Sequence, residues 1–161
     1  MGRAGRVRVA AVVCVALASW IDVHAGKFNR QLDVGDAAPE WGELKSVDGR
    51  GISLDDFRDA KAVVLVFFAN RCPVSQAYTP RLNGIAAEFS ERGVTTVAVS
   101  VSHAAADSFE AMQFRTRQEK FQFEYAQDLS QEIARRYGAL FTPQVFVLDR
   151  ERKIAYMGGI D

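Results

Sequence analysis

An open α/β sheet, mixed in strand direction and covered by helices on both faces, is the fold class the sequence predicts. Three observations predict it. Two runs, Ala62–Phe68 (AVVLVFF) and Thr95–Val101 (TTVAVSV), are strand-length and rich in β-branched and aromatic residues, the pattern of strands buried on both faces. Each run is followed by a segment of helical period, and strand–helix alternation implies parallel strands with helical crossovers. A third run, Val145–Leu148, joins Ile154–Met157 through Asp149-Arg150-Glu151-Arg152, a hairpin that adds antiparallel strands.

The elements follow in chain order. Gly26–Gln31 is a polar leader and Leu32–Glu43 an extended segment with a turn at Gly35-Asp36. Asp48-Gly49 is a hairpin turn between Leu44–Val47 and Gly51–Leu54. Ser53 or Asp55 is placed to cap a short turn ending at Phe57. The central strand Ala62–Phe68 leads into a helix over Pro73–Glu91, with Val74, Tyr78, Leu82, Ile85, Ala86 and Phe89 on its apolar face. Pro80 is expected to kink it and Gly93 to end it. After the strand Thr95–Val101 comes a helix near Ser108–Glu119 with Phe109, Met112 and Thr116 on one face. Phe121–Phe123 reads as a short extended piece. Asp128 or Ser130 caps a helix through Tyr137, and Gly138 closes it. Arg115, Arg117 and Lys120 with Glu119 read as a solvated helix face, and Arg135-Arg136 as a charge pair suited to a helix C-terminus.

Composition agrees with one globular domain. The 161 residues are 48% hydrophobic, 25% charged and 11% aromatic, with 20 basic residues against 20 acidic. That balance argues against a protein built mainly to bind nucleic acid. Two Cys exclude a disulfide scaffold and a four-Cys zinc site, and no His/Cys/Asp cluster has metal spacing. No cofactor is implied.

Residues 1–25 read as a signal peptide and 26–161 as the folded domain. Arg3, Arg6 and Arg8 form a positive region, and Val9–Trp20 is an apolar run. Val23-His24-Ala25 sets up cleavage after Ala25. The run is shorter than the about 20 residues of a membrane span, so cleavage is the main reading and an uncleaved anchor the other. Export to the periplasm or another extracytoplasmic space follows. Cleavage leaves 17 basic to 19 acidic residues, one thiol, Cys72, and one imidazole, His103. An odd Cys in an oxidising compartment is a reactive thiol or an intermolecular partner; a buried small hydrophobe is the plain alternative. His103 reads as a loop histidine.

Chemistry is expected at Asn70-Arg71-Cys72-Pro73-Val74-Ser75, between the carboxyl end of the central strand and a helix start. Unpaired N–H groups and the helix dipole there favour a thiolate and lower the thiol pKa. Arg71 either adds positive charge or faces solvent. Ser75, one turn on, either donates to the sulfur or caps the helix.

The segment FFANRCPVSQAYTPRL resembles the active-site region of the thioredoxin-fold superfamily. Cys72 stands at the nucleophile of C-x-x-C and Ser75 at the second Cys. Pro80 matches the kink proline of the active-site helix. Phe141-Thr142-Pro143, ahead of VFVLD, resembles the loop whose cis-proline faces the active-site Cys. The resemblance spans about Leu32 to Asp161. Together with GDAAPEW, RGVTTVAVSVS and YMGGID, it is most similar to bacterial exported redoxins of the alkyl hydroperoxide reductase and thiol-specific antioxidant (AhpC/TSA) group. It implies a thioredoxin-like three-layer fold with an N-terminal hairpin extension. Cys72 and Ser75 are then the catalytic pair, with Arg71, Pro73, Thr142 and Pro143 contacting substrate. The partners implied are protein or small-molecule thiols and disulfides.

The departures from that family are specific. With no second Cys in the mature chain, an external thiol is required to resolve a mixed disulfide. Ala69 stands where peroxiredoxins place Thr or Ser, Pro143 falls near their active-site Arg, and Val66 replaces the buried acid of many thioredoxins. The terminal helix of the fold is missing before Asp161, so the domain reads as incomplete at that end, with one sheet face partly uncovered. Two functions follow as expectations: a monothiol redoxin handling disulfides or oxidants such as peroxide, or a non-catalytic binding module of a larger redox assembly.

Overall fold

The computed structural model describes residues 29–160, so the signal-peptide reading of residues 1–25 lies outside the described residues. Seven strands form one mixed sheet: β1 (Leu44–Ser46), β2 (Gly51–Ile52), β3 (Ala62–Phe67), β4 (Val94–Ser100), β5 (Glu124–Gln127), β6 (Gln144–Leu148) and β7 (Ile154–Gly158). Their order is β2-β1-β5-β4-β3-β6-β7. β3, β4 and β5 run parallel, while β6 pairs antiparallel with β3 and β7 with β6. The helices are α1 (Pro73–Ser90), α2 (Phe109–Glu119) and α3 (Glu132–Tyr137).

β3 shows why the sheet needs cover on both faces. Val63, Leu65 and Phe67 point into one core with Trp41, Ile133 and Tyr137, so α3 and the N-terminal segment lie on that face. Val66 and Phe68 point into the other with Leu82, Ala86 and Met112, so α1 and α2 lie there. The alternation is the period-2 geometry of a strand, with both phases apolar. The three predicted layers and the N-terminal hairpin are therefore present. Val64 and Val147 on the α1 face stay partly exposed. With Leu82, Ile85, Tyr156 and Ile160 they line a shallow apolar cavity of about 180 Å³.

Several local expectations meet their chemistry. Ser53 and Asp56 form a capping box at the 3-10 turn Leu54–Phe57. Asp128 accepts from the Ser130 and Ile133 N–H groups, and Ser130 Oγ from Glu132 N–H, so both residues cap α3 although Gln131 holds the N-cap position. Gly138 ends α3 in the left-handed region that suits glycine. α1 runs on through Pro80, which has no N–H to give to Gln76 O.

Two readings are corrected. The strand in the 121–127 region is Glu124–Gln127, not Phe121–Phe123, because Tyr125 and Ala126 are the positions that bury completely. Arg115 is not on a solvated face: it is 8% exposed and points between α2 and the sheet.

Candidate active site

The sheet topology brings three loops to one edge. The parallel strands β3 and β4 deliver Ala69–Cys72 and Val101–Ser108 from their carboxyl ends. β6 runs the other way, and Gln144 at its start pairs with Phe67 at the end of β3. The segment before β6, Leu140–Pro143, is thereby set beside Cys72, and the Thr142–Pro143 peptide is cis. Gln144 holds that segment by accepting from Leu140 N–H at 2.7 Å and Phe141 N–H at 3.4 Å through its buried Oε1.

Cys72 is half-buried at the N-cap of α1, with Pro73 at the first helical position, where a missing N–H costs nothing. Its Sγ–H donates to Thr142 O at 3.1 Å. Burial pushes the thiol pKa up. The Thr142 hydroxyl, the Ser75 N–H and hydroxyl and the Val74 N–H together outweigh burial and bring it below its ordinary value. The Thr142 carbonyl favours the neutral thiol; the surrounding donors favour the thiolate.

Ser75 is fully buried at the third helical position, so it does not cap α1; Cys72 holds the N-cap position. The Ser75 Oγ makes no hydrogen bond of normal geometry, which leaves its O–H to serve the sulfur as a donor. Arg71 is exposed to solvent. Pro73 is exposed, Thr142 half-buried and Pro143 buried. Val74 (51%), Leu140 (77%) and Phe141 (52%) leave apolar surface flanking the sulfur and the prolyl loop. His103 lies in the loop after β4 and is exposed, as read.

Sequence reasoning missed what stands behind Cys72. The Asn70 N–H donates to Asp107 Oδ1 in a very close contact, and Asn70 Nδ2 donates to Ala106 O at 3.0 Å. Asn70 Oδ1 accepts from the Tyr125 hydroxyl at 3.1 Å. Burial and then the charge of Asp107 push the Tyr125 pKa well upward, so that hydroxyl stays a neutral donor. Arg115 donates to Asn70 O. One signal could have found it: Arg115 follows Met112 by three positions, in phase with the apolar face of α2. Asp107 carries no such signal. Among the described residues no group of His, Cys, Asp and Glu converges as metal ligands.

The AhpC/TSA family matches residues 34–157. The chain belongs to the AhpC/TSA family. Among curated relatives, it is 26% identical over 151 residues to the thiol-disulfide oxidoreductase ResA of Bacillus thuringiensis subsp. konkukian, covering 92% of this chain and 83% of that one. A hypothetical protein of Sinorhizobium meliloti superposes with a TM-score of 0.77 at 28% identity, over 83% of this chain and 74% of the other. A structure described as the thiol:disulfide interchange protein DsbE of Chlorobium tepidum superposes with a TM-score of 0.68 at 30% identity, over 79% and 85%. The fold is thioredoxin-like, as the sequence predicts.

Proposed function

We propose that this AhpC/TSA member is an exported thiol–disulfide oxidoreductase that works through Cys72 alone. The observation that carries the reading is the Cys72 sulfur at the N-cap of α1, 3.1 Å from Thr142 O in the loop ahead of Pro143. The names of the ResA and DsbE relatives support the reaction class. The apolar N-terminal run with its arginines supports export.

In the proposed cycle the Cys72 thiolate attacks one sulfur of a substrate disulfide, forms the Cys72 mixed disulfide and expels the other sulfur as a thiolate. Ser75 has no sulfur to resolve that bond. An external thiolate attacks the substrate sulfur of the mixed disulfide, frees the Cys72 thiolate and takes its place on that sulfur; a second external thiol then releases the substrate sulfur as a thiolate. Two external thiols thus give two electrons per disulfide reduced and end as their own disulfide. Ser75 and the α1 N–H groups stabilise the thiolate. Thr142 and Pro143, with Pro73 and Arg71 at the rim, line the side on which substrate approaches.

Incubation with glutathione disulfide tests this. A glutathione adduct on the Cys72 peptide is expected, released by added thiol and absent in Cys72→Ala. No adduct on the folded protein would overturn the reading and favour the binding-module alternative. Consumption of hydrogen peroxide by wild type with an added thiol, lost in Cys72→Ala, would assign oxidant handling to the same sulfur.

A further inference from the structure

We propose that Arg115 is a positioning residue for Cys72, one guanidinium that fixes both sides of the strand-to-helix turn presenting the sulfur. The proposal takes its meaning from the role of Cys72 above, but its test does not require turnover.

A guanidinium 8% exposed is costly unless its N–H groups are met. Those of Arg115 are met in three directions. Nε donates to Glu119 Oε1 at 2.8 Å on its own helix. Nη1 donates to Asn70 O at 3.0 Å, two residues before Cys72. Nη2 donates to Thr79 Oγ1 at 2.9 Å, and Thr79 Oγ1 in turn donates to Ser75 O at 2.9 Å. The guanidinium carbon also lies 5.3 Å from the centre of the Phe68 ring and 5.8 Å from that of Phe121. One rigid planar fork thus ties the chain entering the turn to the helix leaving it, which a point charge on a flexible stem cannot do.

The other groups around the turn play narrower parts. Asp107, from the loop after β4, and Tyr125, from β5, reach the turn at Asn70. Gln76 reaches Asn70 O at 2.7 Å from α1 but is exposed. The charged groups near the turn are Asp107, Glu119, Arg115 itself and the exposed Arg71. If Arg115 acted by charge, any cation there would serve; if it acts by clamping, only the fork serves. When the clamp is lost, the Val74 and Ser75 donors lose their aim at the sulfur and the thiolate loses stabilisation.

The test is the pH dependence of iodoacetamide alkylation, followed by mass spectrometry on the Cys72 peptide of the full chain. Arg115→Lys keeps the charge and removes the fork. Its alkylation midpoint is expected to move up, with the rate at pH 6 lower by about threefold or more. Arg115→Met should move it at least as far, and Arg117→Met, exposed on the same helix, should leave it in place. A wild-type profile in Arg115→Lys overturns the proposal. Should that variant not fold, Thr79→Val, which cuts the helix-side contact and keeps the charge, decides by the direction of its shift. The two readings fail separately. A wild-type Cys72 that titrates like a free thiol sinks its role as nucleophile. A lowered wild-type midpoint that Arg115→Lys leaves unmoved sinks only the clamp.

Discussion

At Cys72 burial and hydrogen bonding pull in opposite directions, and the donors prevail. Two consequences follow at this one residue. Because the native thiol pKa lies below its ordinary 9.0, the folded state releases its proton at lower pH than the unfolded state. Between the two values the unfolded chain binds more protons, so stability rises with pH. The contribution is complete above the unfolded value and disappears as pH falls through the native one. Urea unfolding of wild type minus Cys72→Ala should therefore show a difference that grows toward pH 9, and a flat difference would contradict the lowered pKa. Ser75 supplies the other consequence. Ser75→Ala removes one of the donors and should raise the alkylation midpoint of Cys72. Ser75→Cys changes little volume at a buried site one turn from Cys72. Under mild oxidation it should form a disulfide with Cys72, seen as a linked peptide, and remove the need for an external resolving thiol.

Elements were legible where local chemistry and burial agree. The apolar β3, the Ser53 cap of the 3-10 turn and the glycine after α3 each follow from residues adjacent in sequence, while Asp55, not Asp56, stood out beside Ser53 in the sequence. Cys72 and Thr142 were legible as a pair only through a resemblance, because 70 positions separate them and no local pattern ties them. β5 was misplaced because Glu124 and Gln127 give its ends a polar look, while the phenylalanines of Phe121–Phe123 draw attention upstream. Those rings instead stack beside Phe68, with Phe121 and Phe123 centroids 4.5 Å apart. Arg115 was misread because a charge run at a helix end is ordinarily solvated, and only the tertiary partners Asn70 and Thr79 overrule that. α3 is six residues long and too short to persist without caps. Asp128→Ala removes the acceptor of the Ser130 and Ile133 N–H groups. It should cost about 1–2 kcal/mol in urea unfolding with an unchanged slope. A loss well below that would mean that Ser130 caps the helix by itself.

Across the whole molecule, β3, like β4, β5 and β6, is shared between two cores. Leu65 and Phe67 serve the α3 face while Val66 and Phe68 serve the α1–α2 face, and β3 also pairs with both β4 and β6. Neither face can lose its packing without loosening the strand on which the other depends. The site spans both faces in the same way: Cys72 begins α1 on one side, while the prolyl loop runs from α3 on the other into β6. A cavity on one face should therefore lower the stability of both. Leu82→Ala, buried among Val66, Ala98 and Val145, is expected to cost about 2–5 kcal/mol. Native-state hydrogen exchange should show that loss equally at the Leu65 amide and at Tyr137 on the far face, as a single cooperative unit requires. Protection lost on the α1 face and kept at Tyr137 would instead divide the molecule into two units. Cys72 and Thr142 would then sit on separately opening parts, and the 3.1 Å contact between them could not be kept through local unfolding of either.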